Sequence, residues 1–412
     1  MALATSKIES ENLTEDLVRE ISKEKNEPEW LLKQRLEAFY RIDKIDFGNF
    51  MYGLGITIDA SSLNLEKINP KTSFQNQPAS FNRADGTVVS DLHEAFKTHE
   101  NLIKKYLSSV PDFENKLSVL HDAFWTRGLF IYVPRGVETT LPIKLTSIMT
   151  KTTLIENTLI VTEPLSKLTL IDVSESSEKA YGFRSQKIKI FAGESSKIEF
   201  SGFQNYSELV ANISDRKAFL GKDASIDWII TDLGGSLTKS DVTTYLQGEG
   251  SSVKNIGLFL GNGNQQFDFN VKATHIAPHT SSDMLTKGAL SGKSKSVYRG
   301  YIQIKDTASK SAGYQKADIL LLSEDAEADP IPNLEIDNND IEKCTHGATV
   351  GQIDRDKLFY MMSRGLSEKE ATKKFVEGLF EPALSRIKVE AIQHHILKII
   401  EAKLDKVVEE EV

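Results

Sequence analysis

Three segments in the middle of the chain begin alike. Gly193-Glu-Ser-Ser-Lys-Ile198, Gly221-Lys-Asp-Ala-Ser-Ile226 and Gly248-Glu-Gly-Ser-Ser-Val253 place a turn glycine, a small residue and an aliphatic at the same offsets, with the glycines 28 and 27 residues apart. Pro164-Leu-Ser-Lys-Leu168 fits one unit earlier, since Leu168 precedes Ile198 by 30 residues. A period of this length is the mark of a solenoid, in which each unit buries its apolar side against the next. Around these anchors, from about Leu129 to Leu322, short alternating runs of Ile, Val, Leu, Thr and Phe are punctuated by Gly, Ser, Asn and Asp, the pattern of strands. Helical patterning is nearly absent there, which argues against leucine-rich repeats and parallel α/β folds and for a mainly β fold, a parallel β-helix whose turns replace crossover helices. The spacing predicts about seven coils and a rod of roughly 35 Å. An antiparallel β-sandwich with chance glycine spacing is the alternative.

Helices flank this span. Thr14 to Lys23 is amphipathic, Pro28 opens a run with Leu31, Leu32, Leu36 and Phe39 at helical spacing, and Ser90 is a candidate cap for a helix carrying Leu92, Phe96, Leu102, Ile103 and Tyr106 that Pro111 follows. Tyr52 to Phe81 reads as irregular. After Arg355 helix returns: Ser367-Glu-Lys-Glu370 is a capping box, Ala371, Phe375, Leu379 and Phe380 share a side, and Pro382 is expected to interrupt before a longer helix from Leu384 to Leu404. Such a pair packs either on the rod or on a partner.

Fifty Lys and Arg against 59 Asp and Glu leave a net charge of −9, so no overall positive field draws the chain to nucleic acid or anionic lipid. The single cysteine, Cys344, excludes an intrachain disulfide and any all-cysteine metal site built within one chain. A reducing, cytoplasmic setting is expected, with neither a signal peptide nor a membrane-spanning helix.

Most apparent motifs reduce to ordinary structure. Gly288-Ala-Leu-Ser-Gly292-Lys293-Ser294 is one residue short of a phosphate-binding loop and precedes a strand-like run, so it is expected to be a polar turn, and the chain is not expected to be an enzyme that hydrolyses ATP. Asp223, Asp227 and Asp232 are the carboxylates a β-helical carbohydrate-active enzyme would draw on, but nothing singles them out from loop residues. His394 and His395 point about 100° apart on a helix, too divergent to chelate one metal. His275 and His279 have a ligand-like spacing, although a strand-end histidine making hydrogen bonds is commoner. In Lys343-Cys344-Thr-His346-Gly347 a thiol and an imidazole two residues apart face one side of a strand, and both suit iron, zinc or copper. Two ligands do not complete a site, and a small buried cysteine beside a hydrogen-bonded histidine explains the spacing equally.

The stretch from His275 onward carries an ordered set of motifs: His275-Ile-Ala-Pro-His-Thr-Ser-Ser, Lys287-Gly-Ala-Leu, Tyr298-Arg-Gly-Tyr-Ile302, Gln315 followed by Leu320-Leu-Leu-Ser, Pro332-Asn-Leu-Glu-Ile, Cys344-Thr-His-Gly-Ala-Thr-Val-Gly and Leu358-Phe-Tyr-Met-Met-Ser-Arg-Gly-Leu. Together they resemble the SufB/SufD family of iron–sulfur cluster assembly scaffolds. Pro28-Glu-Trp-Leu-Leu-Lys-Gln-Arg-Leu-Glu-Ala, Ala123-Phe-Trp and Tyr132-Val-Pro-Arg-Gly-Val agree, so the resemblance spans nearly the whole chain. It implies a right-handed parallel β-helix core over residues 111–354, between a mainly helical region over 1–110 and a C-terminal helical region over 355–412. It also implies a heterodimer of B-type and D-type subunits bound to two copies of the ATPase SufC.

Within that family the chain looks most like the D type. Gly347 stands where B-type members have the Glu of His-Glu-Ala, and Ala326 stands where they have the sulfur-accepting cysteine. His275-Ile-Ala-Pro-His-Thr-Ser-Ser has a B-type flavour, so a B/D-like homodimer is the alternative to pairing with SufB. By resemblance, His346, with Cys344 beside it, would face a transient iron–sulfur cluster at the subunit interface, and Phe375, Leu379 and Phe380 would belong to the region that docks SufC. Complexes of this family are also associated with a reduced flavin.

Overall fold

The computed structural model describes residues 12–47, 53–63, 65–73, 81–108, 115–150, 152–387 and 390–410. Four helices, α1 (Glu15–Glu24), α2 (Glu29–Phe39), α3 (Leu92–Ser108) and α4 (Lys116–Phe124), and two short strands, β1 (Phe81–Asn82) and β2 (Val88–Asp91), precede the solenoid. Its strands alternate between two sheets. The first holds β3 (Arg127–Val133), β5 (Thr153–Thr162), β7 (Tyr181–Ala192), β9 (Leu209–Leu220), β11 (Leu237–Leu246), β13 (Gln266–His275), β15 (Lys295–Ile304) and β17 (Glu327–Ile336). The second holds β4 (Ile143–Met149), β6 (Lys167–Ser176), β8 (Lys197–Asn205), β10 (Ser225–Asp232), β12 (Ser252–Gly261), β14 (Ser281–Leu290), β16 (Ala312–Leu321) and β18 (Lys343–Gln352). Three helices follow: α5 (Arg355–Ser363), α6 (Glu368–Leu384) and α7 (Glu390–Glu410).

All neighbouring strands within the solenoid pair in parallel, one coil to the next, which excludes the antiparallel sandwich. There are eight coils rather than seven, because the end coils lack the glycine signature that marks the middle ones. The anchors read from the sequence lie in one column: Leu168 pairs with Ile198, Ile198 with Ile226, and Ile226 with Val253. All four are buried inside the solenoid.

The glycines at the corner are required by crowding, not by backbone conformation. A β-carbon on Gly193 would come within 2.7 Å of the Pro164 nitrogen, and one on Gly248 would overlap the backbone of Lys222 in the coil before. The left-handed conformation falls two residues later, at Leu165, Ser195, Asp223, Gly250, His279 and Lys310. Each of these donates its N–H to a carbonyl of the following coil, as Ser195 does to Lys222 at 2.7 Å and Asp223 to Glu249 at 2.8 Å. Non-glycine residues in this conformation cost about 1–3 kcal/mol each, so the inter-coil hydrogen bonds must hold them there.

The N-terminal helices cover the outer face of the first sheet. Phe130, Ile155, Leu159 and Phe183 on that face share a core with Leu31, Phe96, Leu120 and Phe124. Asp91, rather than Ser90, caps α3: its carboxylate accepts from the amides of His93 and Glu94. Pro111 lies outside the described residues. The two early motif segments meet at Arg35. Its guanidinium binds Glu27 at 2.6 and 2.8 Å, donates to the Ala123 carbonyl at 3.1 Å, and lies 4.3 Å from the Trp125 ring centroid. His93 of α3 approaches the same carboxylate at 2.9 Å. Farther along the chain, the amides of Gly55 and Ile56 donate to Asp329 on β17, so this region reaches the last coil of the first sheet.

The C-terminal helices cover the outer face of the second sheet. Val376, Phe380, Ala383, Leu384, Ile396, Ile400 and Leu404 pack on Ile171, Val173, Phe203, Ile229, Ile256 and Leu258. The capping box at Ser367 and Glu370 forms. Helix α6 does not break at Pro382 but runs through it to Leu384. Pro382 removes one amide donor, and burial of Ala383 and Leu384 immediately after it keeps the last residues helical.

The two ends of the rod differ. At the N-terminal end β2 pairs antiparallel with β3, and β1 with β2, which closes the first sheet. At the C-terminal end β17 and β18 are the last strands of their sheets, and no further strand pairs with them among the described residues.

Two outcomes are expected. Burial alone would push the Glu27 carboxyl up, but the Arg35 charge, with hydrogen bonds from His93 and Arg35, brings it down to about 2. Its folded value lies below the ordinary 4.5, so the stabilisation is present above that pH and is lost as pH falls towards 2. Glu27→Gln should therefore destabilise the chain by about 3–5 kcal/mol at neutral pH and flatten the acid limb of a urea-melt series, because it leaves Arg35 buried and uncompensated. Gly248→Ala should cost more than about 2 kcal/mol by the same measurement, whereas Gly378→Ala, with open space around it, should be neutral or stabilising.

Candidate functional site

The open C-terminal coil gathers the residues singled out for chemistry. Strand β18 pairs with β16 so that Cys344 lies beside Gly313 and His346 beside Gln315. Gln315 is buried in the lumen, which places Cys344 and His346 on the lumen side of the last coil, beyond which no strand stacks among the described residues. Cys344 is half-buried and packs against the solenoid core, and burial pushes its thiol above the ordinary value. His346 is exposed. The gradient follows from position: a side chain in an inner coil is sealed by the next coil, and one in the terminal coil is not. Ile336, Val350 and Tyr314 at this end are also exposed apolar residues.

Behind His346 the lumen turns polar. Gln315 donates to the Asn333 carbonyl at 2.9 Å, and its amide oxygen has no partner. The hydroxyl of Tyr298, one coil back, is also buried, and burial raises it to about 12. Gly300 makes the arrangement fit, because a β-carbon there would strike the Gln315 oxygen and approach the Tyr298 hydroxyl at 3.0 Å. Tyr298-Arg-Gly-Tyr is thus a packing motif at the floor of the open end. Ala326 is buried nearby in the same core.

His275 is an interior residue. Its ring nitrogens meet Thr280 at 2.8 Å and Ser282 at 2.9 Å, and burial pushes it down to about 4, so it is neutral and fully hydrogen-bonded, as expected of a strand-end histidine. His279 occupies a left-handed turn position. Gly288 to Leu290 end β14, and Lys295 begins β15, so the apparent phosphate loop is a strand–turn–strand connection. His394 and His395 are exposed on α7.

The residues expected to meet an ATPase divide. Phe380 is fully buried against the second sheet, so it anchors α6 to the rod and is withdrawn from any surface; Leu379 is partly buried in the same cluster, and Phe375 is partly exposed. The exposed apolar surface lies instead on α5, where Phe359 is 72%, Tyr360 57% and Met362 38% exposed. It borders a cavity of about 380 Å3 between α5, α6, the end of β16 and the end of β18. The motif Leu358-Phe-Tyr-Met-Met, singled out in the sequence only for its resemblance, supplies this surface.

Sequence reasoning also missed a charged lumen at the other end. Asp172, Arg184, Arg216 and Asp232 are buried inside the solenoid, and desolvation raises the Asp172 and Asp232 carboxyls. Asp232 therefore faces inward and offers nothing to a polysaccharide on the outer surface. Among the described residues no group of three His, Cys, Asp or Glu side chains is placed to hold a metal ion, and no helix is long and apolar enough to cross a membrane.

Comparison with known proteins agrees with this architecture. Residues 145–379 match the family model described as SUF system FeS cluster assembly, SufBD core domain, and residues 66–145 match the SufBD protein N-terminal region. The chain is similar to an iron-sulfur cluster assembly SufBD family protein of Staphylococcus haemolyticus, with 28% identity over 92% of this chain and 90% of the relative. It has the same identity and coverage against a protein so named from Staphylococcus aureus strain MRSA252. With the core match covering more than half of its length, the chain belongs to the SufBD family of iron–sulfur cluster assembly proteins.

Proposed function

We propose that this chain is a SufD-like accessory scaffold that pairs through its open C-terminal coil with a SufB-type subunit and docks the ATPase SufC through its C-terminal helical region. The observation that carries the reading is the unpaired end of the solenoid, where Cys344 and His346 stand on the lumen side of the terminal coil. Unpaired strand edges recruit another chain unless they are blunted, and a partner strand added there would bring its own side chains against these two. A thiol and an imidazole are borderline ligands suited to iron, and the remaining ligands come from the partner. The cluster is cargo: it is built at the interface and passed on.

The D-type assignment rests on Gly347 and Ala326, which lack the carboxylate and thiol of B-type members. The chain itself is a scaffold without catalytic turnover, and ATP hydrolysis belongs to its partner. The ATPase contact centres on Phe359, Tyr360 and Met362, with Phe375 and Leu379 at its margin, because exposed aromatics beside a cavity are what a partner buries.

Co-expression with SufB-type and SufC-type subunits tests both contacts. His346→Ala should leave the three-subunit complex intact while lowering the iron and acid-labile sulfide it carries, and Cys344→Ser should do so less; normal cluster content in the His346 variant would make that histidine structural. Phe359→Asp should weaken capture of the ATPase by about 2 kcal/mol or more, roughly thirtyfold, without changing pairing with the B-type subunit. A homodimer in the absence of SufB, with ligands from two copies of β18, would support the B/D-like alternative.

A further inference from the structure

The two strands at the open end of the rod have different edges. In a parallel ladder the N–H and C=O of one residue point to the same side, and those of the next residue to the other. Just before β18, the Glu342 N–H meets the Ser311 carbonyl at 3.0 Å. Even-numbered residues of β18 therefore bond to β16, and Lys343, Thr345, Gly347, Thr349 and Gly351 turn their N–H and C=O groups to the free edge. On β17 the Glu327 N–H meets the Ser294 carbonyl at 3.1 Å, and just beyond the strand Asp337 meets Ile304 at 2.8 Å. Odd-numbered residues there face β15, so Ala328, Pro330, Pro332, Leu334 and Ile336 face the free edge.

Both prolines thus fall where the missing N–H would have pointed outward. At Ile331 or Asn333 a proline would instead have broken a bond to β15. An added strand can extend β18, which has a donor and an acceptor at each outward position. Along the middle of β17 it would find carbonyls alone, and its own carbonyls opposite Pro330 and Pro332 would be buried without donors. Lysine and arginine side chains suit that stretch, because they donate hydrogen bonds and accept none.

Charge points the same way. From Ser323 to Glu342 the chain has eight Asp and Glu and no Lys, Arg or His. Lysines one coil back offset some of them: Lys295 binds Glu327 at 3.0 Å, Lys310 binds Asp340 at 2.6 Å, and Lys305 lies 3.8 Å from Glu335 and 3.7 Å from Asp337. Asp329 is taken by the amides of Gly55 and Ile56. Glu324, Asp325 and Glu342 are exposed and have no ion pair among the described residues. Surplus carboxylates therefore border an edge whose backbone offers acceptors, and both attract cations.

We infer that the partner adds its strand to β18 and meets β17 with lysine or arginine side chains. Taken with the proposed reading of the open coil as a pairing surface, on which it rests, this specifies the partner as a subunit with a basic face opposite β17. A second copy of this chain fits poorly. With β18 against β18 across a two-fold axis, β17 would face the other copy's β17, acceptor against acceptor and carboxylate against carboxylate.

Calorimetric titration of the full purified chain with a SufB-type subunit tests both halves. Kd should rise at least about tenfold between 50 and 300 mM NaCl, and Asp325→Lys combined with Glu342→Lys should weaken pairing about tenfold or more at the lower salt. Glu194→Lys, on an exposed residue of a middle coil, should leave Kd within about threefold. Thr345→Pro, which removes an N–H facing the free edge of β18, should weaken pairing at least about tenfold, whereas Ala328→Pro, the same change on β17, should not. Self-association needs no partner subunit: with repulsion screened in 1 M NaCl, Pro330→Ala combined with Pro332→Ala should tighten it at least about tenfold in sedimentation experiments. Failure of the wild-type chain to bind the SufB-type subunit at all would remove the pairing reading, and the sedimentation result would then decide the edge assignment alone. Salt-independent affinity with unaffected charge variants, equal losses from Ala328→Pro and Thr345→Pro, or unchanged self-association of the double-proline variant would overturn the proposal.

Discussion

A strand in a parallel solenoid satisfies its backbone only through the coils on either side. Every inner coil of this rod has two such neighbours, and the corner residues in left-handed conformation add one more inter-coil hydrogen bond per turn. The stack is therefore self-consistent everywhere except at its ends, and how each end is treated decides what the molecule can do. One is closed by the antiparallel β2 strand and the helices behind it. The other stops at β17 and β18, with which no further strand pairs among the described residues. In water such an edge is an aggregation hazard unless a designated partner occupies it.

The sides of the rod are sealed by two separate helical layers. The N-terminal layer is fixed by a buried charge cluster at Arg35, and the C-terminal layer by an apolar interface with the second sheet. Each fully buried aromatic, such as Phe380 or Phe183, contributes about 1.5–3 kcal/mol. With both flanks covered by the chain's own helices, the proposed partner surfaces are the open coil and the aromatic patch on α5. These lie close together, since α5 follows β18 after only Ile353 and Asp354. On the proposed reading, an ATPase held on α5 would sit near the edge where a second scaffold would pair, a placement suited to coupling nucleotide-driven motion to the interface.

Much of this was legible because the solenoid repeats. Leu168, Ile198, Ile226 and Val253 carry the coil period, and the structure stacks them in one column. The reason for the glycines was not legible, since a turn glycine usually signals positive φ, whereas Gly193 and Gly248 are demanded by the approach of another coil's backbone. The polar lumen was hidden for a related cause. Alternation tells which residues share a face, not which face is inside, and Asp172, Arg184 and Asp232 alternate as outward residues do. Phe380 shows the limit for helices: an apolar stripe announces burial without naming what it is buried against. The pairing of Cys344 with His346 could be read from their spacing, but their position in an uncapped terminal coil needed the count of coils.

The central claim is that the last coil is an interface waiting for a strand, and hydrogen exchange tests it most directly. In the isolated chain the outward amides of β18 should exchange orders of magnitude faster than those of β12 and β14, which are sealed on both sides. Adding a SufB-type partner should protect β18, and the neighbouring edge of β17, while leaving the inner strands unchanged. Protection of β18 already complete in monomeric protein, or no change on forming the complex, would contradict the account.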